Sequence, residues 1–255
     1  SRSVTELAPW VVSLNPEIYQ HGFLHHILQN KLGHWDEEIR EFSAIAFSKI
    51  LATQPIETII ETEILEDLVN KALNNGSTWY APWDYVNNCE MKKKSFKFKY
   101  SFEDQHGALL TLNNLIKNRQ VKNDGFKLLG QFFDENGDFY KTSMYNSDLG
   151  AHLRIVTFEI FRNLLINHPE QLNSSNFSSI KNIIFEALSY FKKAPVTKIN
   201  SYSIVQANVP TLRQKMSDIM VEVMALLEQL TQKNEMQTSW GAWGPMGFAL
   251  HFLVF

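Results

Sequence analysis

The sequence predicts an all-α fold, a stack of antiparallel helical hairpins forming an α-solenoid. Apolar residues recur at three- and four-residue spacing in stretch after stretch. The stretches are separated by proline, glycine and Asn-rich stops, and no segment offers a strand–helix–strand unit. The first two helix pairs begin at Pro16 and Pro55, close to the ~40–47-residue period of HEAT and armadillo arrays. The predicted class is therefore a HEAT/armadillo-type solenoid, with a plain helical bundle as the alternative.

Each element follows from local chemistry. Asn15-Pro16 supplies a cap and a proline at the first helical position, and Ile18, Phe23, Leu24, Ile27, Leu28 and Leu32 make one apolar stripe that Gly33 stops. Asp36 caps a second helix bearing Ile39, Phe42, Ala46 and Ile50, which Thr53-Gln54-Pro55 ends. A third stripe runs through Ile56, Ile59, Ile60, Ile64, Leu65, Leu68, Val69, Ala72 and Leu73. It reads as broken near Thr62 and finished at Asn74-Asn75-Gly76.

Residues 76–102 interrupt the pattern and read as an insertion between helices. Trp79, Tyr80, Pro82, Trp83 and Tyr85 come first, then Lys92 to Tyr100, where basic and aromatic residues alternate with the period of an extended segment. Helices resume at Glu103 with Ala108, Leu109, Leu112, Leu115 and Ile116. Residues 121–147 are poorly defined: around Asn136-Gly137 either a hairpin or a short helix with a loop fits.

Three further helices follow. Residues 149–167 carry Leu153, Val156, Ile160 and Leu164 and end at His168-Pro169; residues 177–193 carry Ile180, Ile184, Ala187, Leu188 and Phe191. The last long one extends from about Pro210 to Gln232, and the apolar run 248–255 reads as a final helix.

Composition excludes several function classes. With 44% hydrophobic and 20% charged residues and a net charge of -3, the chain suits a soluble globular protein and lacks the footprint of a duplex-binding surface. The single cysteine, Cys89, excludes an intrachain disulfide and fits a reducing, cytoplasmic compartment. Val4–Leu14 and 248–255 both fall short of the roughly 20 apolar residues a membrane span needs. Residue 1 is Ser and the chain stops inside an apolar run, so both ends read as cuts through a longer polypeptide, and 1–255 as one repeat segment of it.

Catalytic and metal signatures are weak. His21 and His25 have the spacing of a zincin helix, but Gly22 stands where the base glutamate belongs. Asp134–Asp138 resembles an Asx-rich calcium loop, yet Phe139 occupies the position that needs glycine. There is no phosphate loop, nucleophile elbow or dinucleotide fingerprint. The expectation is a non-catalytic scaffold with no cofactor and no metal. One segment has a binding character: Lys92, Lys93, Lys94, Lys97 and Lys99, interleaved with aromatics, could grip an acidic protein tail or, less favoured, single-stranded nucleic acid.

Asp36-x-x-Ile39-Arg40, followed by Ala46, has the HEAT pattern of an acid at the start of the second helix and an arginine one turn on. There the acid offsets the helix N-terminal dipole, and the pair can bridge to a neighbouring repeat. Trp35 is expected in the corner between two helices as a core residue, whose truncation would cost about 3–5 kcal/mol.

The stretch Lys31-Leu32-Gly33-His34-Trp35-Asp36-Glu37-Glu38-Ile39-Arg40-Glu41 resembles the K-x-S-HWD-x-x-IRE corner of the tubulin-folding cofactor D family, with Gly33 in place of Ser. Gln105-His106-Gly107-Ala108-Leu109-Leu110 is similar to that family's R-HG-A/S-L/I-L, with Gln105 in place of Arg. Arg2-Ser3 and Met246–Leu250 extend the likeness in the same order, while 76–102 and 126–146 depart from it as in a divergent, fungal-like member. The resemblance implies an internal HEAT-repeat piece of a tubulin chaperone, with Trp35, Asp36, Ile39, Arg40, His106 and Gly107 as structural motif residues. Its implied partners are β-tubulin, cofactors C and E and a small Arf-like GTPase. Its implied activity is help in α/β-tubulin assembly and, with cofactor C, stimulation of GTP hydrolysis by tubulin, in the cytoplasm and near microtubules. A generic HEAT adaptor, such as a transport receptor or phosphatase scaffold, is the second reading.

Overall fold

A computed structural model describes residues 2–53, 58–74, 99–141, 145, 150–193 and 203–233. Among them the structure is all-α, with helices packed on helices and no strand, consistent with a helical-repeat fold. The helices are α1 (Arg2–Leu14), α2 (Pro16–Asn30), α3 (Glu37–Leu51), α4 (Thr58–Leu73), α5 (Phe102–Lys117), α6 (Asn123–Leu129), α7 (Asp138–Lys141), α8 (Gly150–Asn167), α9 (Ser174–Lys193) and α10 (Ser203–Lys233). The chain divides into two compact units, Ser1–Phe132 and Phe133–Phe255, and the division falls inside the stretch 121–147 that the sequence leaves undefined.

In the first unit the packing partners alternate. Helix α3 lies between α1 and α5, making one row of odd-numbered helices, while α2 packs on α1 and α3, and α4 on α5 and α6. The row is held by Val12 of α1, Ala44, Phe47 and Ile50 of α3, and Leu109, Leu112 and Ile116 of α5, all buried. Ala44, Ala46 and Ala108, small residues on α3 and α5, are also fully buried.

Several local expectations change in the folded chain. Pro16 occupies the first turn of α2, but the Asn15 side chain makes no capping bond. Ile18, expected on the buried stripe, is 65% exposed. Helix α4 runs unbroken past Thr62, because threonine costs a helix only a few tenths of a kcal/mol, and Leu65, Leu68, Val69 and Ala72 bury one continuous face. Pro210 lies inside α10 rather than at its start; a single proline removes one backbone donor, which a 31-residue helix tolerates. Between Leu129 and Asp138 the chain forms a 3₁₀ turn and a bend, then the short α7, so the helical alternative holds and the hairpin does not.

Asn74 closes α4 and ties its end to Lys99 and Tyr100, just before α5. Its backbone is left-handed, with φ of 56°, a conformation asparagine tolerates better than most residues. The buried side chain accepts from the Lys99 and Tyr100 N–H groups at 3.1 Å and donates to the Tyr100 carbonyl at 3.2 Å. Residues 75–98, which hold Cys89 and most of the proposed insertion, lie outside the described residues, as does 248–255.

The second unit centres on α8 and α10, with α9 alongside α10. Leu153, Phe158, Ile160, Phe161, Phe177, Ile180, Val223 and Leu227 are buried there. Arg162 meets Glu222 at 3.0 Å, tying α8 to α10 at the surface. Beside them Phe139, Tyr140 and Tyr145 form a mutual aromatic cluster with centroids 4.9–5.3 Å apart. Buried Arg154 donates to the Tyr145 carbonyl and lies 5.7 Å from its ring. Burial pushes the Tyr140 and Tyr145 phenols well above their usual value, with Arg154 opposing the shift at Tyr145.

Two tests follow from these placements. Asn74→Ala is expected to cost about 3 kcal/mol in denaturant unfolding and Asn74→Gly about 2, since glycine relieves the strained φ but restores none of the three hydrogen bonds. The tyrosine shifts predict an alkaline weakness. Unfolded tyrosine ionises near pH 10 while the buried phenols stay neutral, so stability is complete below about pH 10 and falls as pH rises further. Paired Tyr140→Phe and Tyr145→Phe substitutions should flatten that fall in pH-dependent melting.

Candidate functional site

The two stretches singled out in the sequence meet in the first unit. Helix α2 ends as the Lys31 and Leu32 N–H groups both reach the Ile27 carbonyl, at 3.0 and 3.1 Å. The chain then turns through Gly33-His34-Trp35 and re-enters a helix at Asp36. His34 Nδ1 accepts from the Asp36 N–H at 3.0 Å, and Asp36 Oδ1 accepts from the Glu38 N–H at 3.0 Å, so the cap predicted at Asp36 is present. Helix α5 starts just as firmly. Ser101 and Asp104 form a reciprocal capping box, legible in the sequence as Ser-x-x-Asp with a shorter acid than the usual Glu.

Arg40 joins the two segments. It is 3% exposed. Its Nη1 donates to the carbonyls of His34 at 2.7 Å and Trp35 at 3.0 Å, and its Nε donates to His106 Nδ1 at 3.1 Å. The guanidinium also lies 5.9 Å from the Phe102 ring, which stacks on His106 at 5.8 Å. A guanidinium only donates, so Nδ1 is the acceptor and the neutral imidazole carries its proton on Nε2. That nitrogen is 3.9 Å from Glu37 Oε1. Burial pulls the Arg40 pKa down, while Glu37, Glu103, Asp36 and Glu41 raise it; arginine remains a cation throughout.

Two glycines permit the approach. A Cβ on Gly107 would stand 1.8 Å from the Leu32 carbonyl oxygen, and one on Gly33 would stand 2.2 Å from Asp104 Oδ1. The Gly107 contact is with backbone, which no rotamer change can relieve. Helix α5 therefore rests directly on the peptide that leaves α2.

The expectation for Trp35 is overturned. It is 79% exposed, tilted against His34 with ring centroids 5.4 Å apart. The corner needs its carbonyl, which Arg40 holds, and leaves the indole outside. Ile39 is half-buried and lines an apolar cavity with Phe42. Phe102 belongs to the corner but carries no signal in the sequence beyond its place after a helix cap.

The remaining candidates do not join this corner. Lys99 lies at the Asn74 clamp with its ammonium 5.0 Å from the Tyr100 ring, and Lys92, Lys93, Lys94 and Lys97 lie outside the described residues. His21 and His25 share a face as their spacing predicts, with stacked rings 6.2 Å apart, and His25 Nε2 pairs with the Gln29 amide. Asp134 forms a plain Asx turn: its Oδ1 accepts from the Asn136 N–H at 3.1 Å, and its backbone carbonyl accepts from the Gly137 N–H at 2.8 Å. No family model, curated protein or solved structure matches the chain.

The corner separates two kinds of motif residue. Arg40→Ala should cost about 3 kcal/mol, because it orphans two carbonyls and the imidazole, and Gly107→Ala should cost about as much by displacing α5. Trp35→Ala should change stability by less than about 0.5 kcal/mol in the same unfolding measurement.

Proposed function

We propose that this chain is a protein-binding segment of a helical-repeat scaffold, and that the scaffold is a tubulin-folding cofactor of the D type. In this reading it captures β-tubulin and works with cofactors C and E and a small Arf-like GTPase in assembling the α/β heterodimer, in the cytoplasm and close to microtubules. The observation that supports it best is the bond from Arg40 to His106. The two stretches that resemble the family are 66 residues apart at this bond, yet they pack as one corner, with the Leu32 peptide against Gly107.

The corner itself supplies rigidity rather than chemistry. Buried Arg40 spends its donors on backbone carbonyls and an imidazole, so it is a structural cation and not one presented to a nucleotide. A scaffold that holds partners by shape needs such fixed joints, and an α-solenoid continuing the α1–α3–α5 row would offer its concave face for binding. Stimulation of GTP hydrolysis by tubulin would then arise from the assembly with cofactor C, with this segment contributing position.

The deciding experiment is retention of purified β-tubulin by the parent polypeptide that carries this segment. Retention that weakens when Arg40→Ala loosens the corner is the expected result. A parent that ignores tubulin but holds transport cargo or a phosphatase subunit would establish the generic adaptor instead. Salt-dependent binding of single-stranded RNA would establish the nucleic-acid reading.

A further inference from the structure

The turn that leads into α7 carries a chemistry the scaffold reading does not use. Asn136 and Gly137 form one of two Asn-Gly pairs in the chain, and the other, Asn75-Gly76, lies outside the described residues. An asparagine followed by glycine is open to attack on its own side chain. The next peptide nitrogen reaches the side-chain carbonyl carbon through a five-membered ring, and glycine puts no Cβ in the way. A fold suppresses that attack by burying the carboxamide or by binding it. Here Asn136 is exposed, and its side chain makes no hydrogen bond among the described residues.

The turn also activates the nucleophile. The Lys141 ammonium donates to the Asn136 carbonyl oxygen at 2.5 Å, and that oxygen belongs to the same peptide as the Gly137 nitrogen. When the nitrogen loses its proton, the negative charge is shared with the oxygen, so a cation held there favours the anion. The Gly137 N–H donates to the Asp134 carbonyl at 2.8 Å, and Asp134, Glu135 and Asp138 add like charge, which opposes it. The ammonium touches the atom that takes up the charge, whereas carboxylates around an exposed turn act through water and salt.

We propose that Asn136 is a site of spontaneous deamidation and that Lys141 accelerates it. The deprotonated Gly137 nitrogen bonds to the Asn136 side-chain carbonyl carbon. The carboxamide C–N bond breaks, and the peptide proton, passed through water, completes the departing ammonia. Water then opens the succinimide at either carbonyl, leaving aspartate or isoaspartate. The isoaspartate form routes the main chain through the side-chain methylene and lengthens the turn that the Asp134–Gly137 hydrogen bond closes. Phe139 and Tyr140, two and three residues past Gly137, are buried in the aromatic cluster with Tyr145, so the altered turn loosens that cluster irreversibly. The inference does not depend on the tubulin reading, and the two fail separately.

The test incubates the whole 255-residue chain in mildly alkaline buffer and maps its peptides by chromatography and mass spectrometry. The peptide holding residue 136 should show the amide-to-acid mass change in two separable forms, ahead of the described asparagines that no glycine follows. Lys141→Met, at an exposed position, should slow conversion about three- to tenfold, less than loss of a buried donor would, because water screens the pair. Lys141→Arg should keep the rate of the unaltered chain. In urea, where the contact is gone, Lys141→Met and the unaltered chain should convert alike. The aged chain should melt below the fresh one, and Asn136→Gln should abolish both the conversion and that drop. A residue 136 that keeps its amide in the folded chain while the urea-unfolded chain converts would overturn the proposal. So would Lys141→Met converting as fast as the unaltered chain in the folded state.

Discussion

The buried guanidinium of Arg40 is the constraint on which the first unit's geometry depends. An arginine withdrawn from water carries a desolvation penalty of several kcal/mol, and it stays folded only where its donors are matched. Here the matches come from both sides of the joint: two carbonyls of the turn before α3 and the imidazole of His106 on α5. The same side chain therefore sets the shape of the α2–α3 turn and the distance between α3 and α5. Neighbouring carboxylates on both helices favour its charge, so the joint is electrostatically self-consistent.

Around that point the packing leaves little freedom. Gly107 lets α5 touch the Leu32 peptide, and Gly33 makes room for the Asp104 that caps α5. Capping, close approach and the guanidinium bonds thus reinforce one another within a few residues. Asn74 plays the comparable part for backbone, joining the end of α4 to the Lys99 and Tyr100 peptides that lead into α5. These devices give fixed joints to a fold whose remaining cohesion is the non-directional burial of Leu, Ile and Phe side chains.

The second unit is organised differently, around an aromatic cluster beside a buried arginine. Tyr140 packs edge to face on both Phe139 and Tyr145, the arrangement ring quadrupoles favour, and Arg154 is satisfied in part by the Tyr145 carbonyl. Neutral phenols are a condition of that packing, and burial secures them at ordinary pH.

The sequence by itself determined the class of structure and most helix positions, because apolar spacing and stop residues are local properties. It located Asp36 as a cap, the close of α4 near Asn74, and the limits of α8, each set by a few adjacent side chains. It also marked Arg40, His106 and Gly107 as motif residues, though their partnership was not legible, since the bond between them spans 66 positions. Only the tertiary structure decided which apolar residues are buried. Trp35 and Ile18 read as core and are exposed, because helical spacing says which residues share a face and says nothing about whether another helix covers it. Burial and the approach of α5 to the Leu32 peptide both depend on contacts between distant segments, and those exist only once the helices are packed.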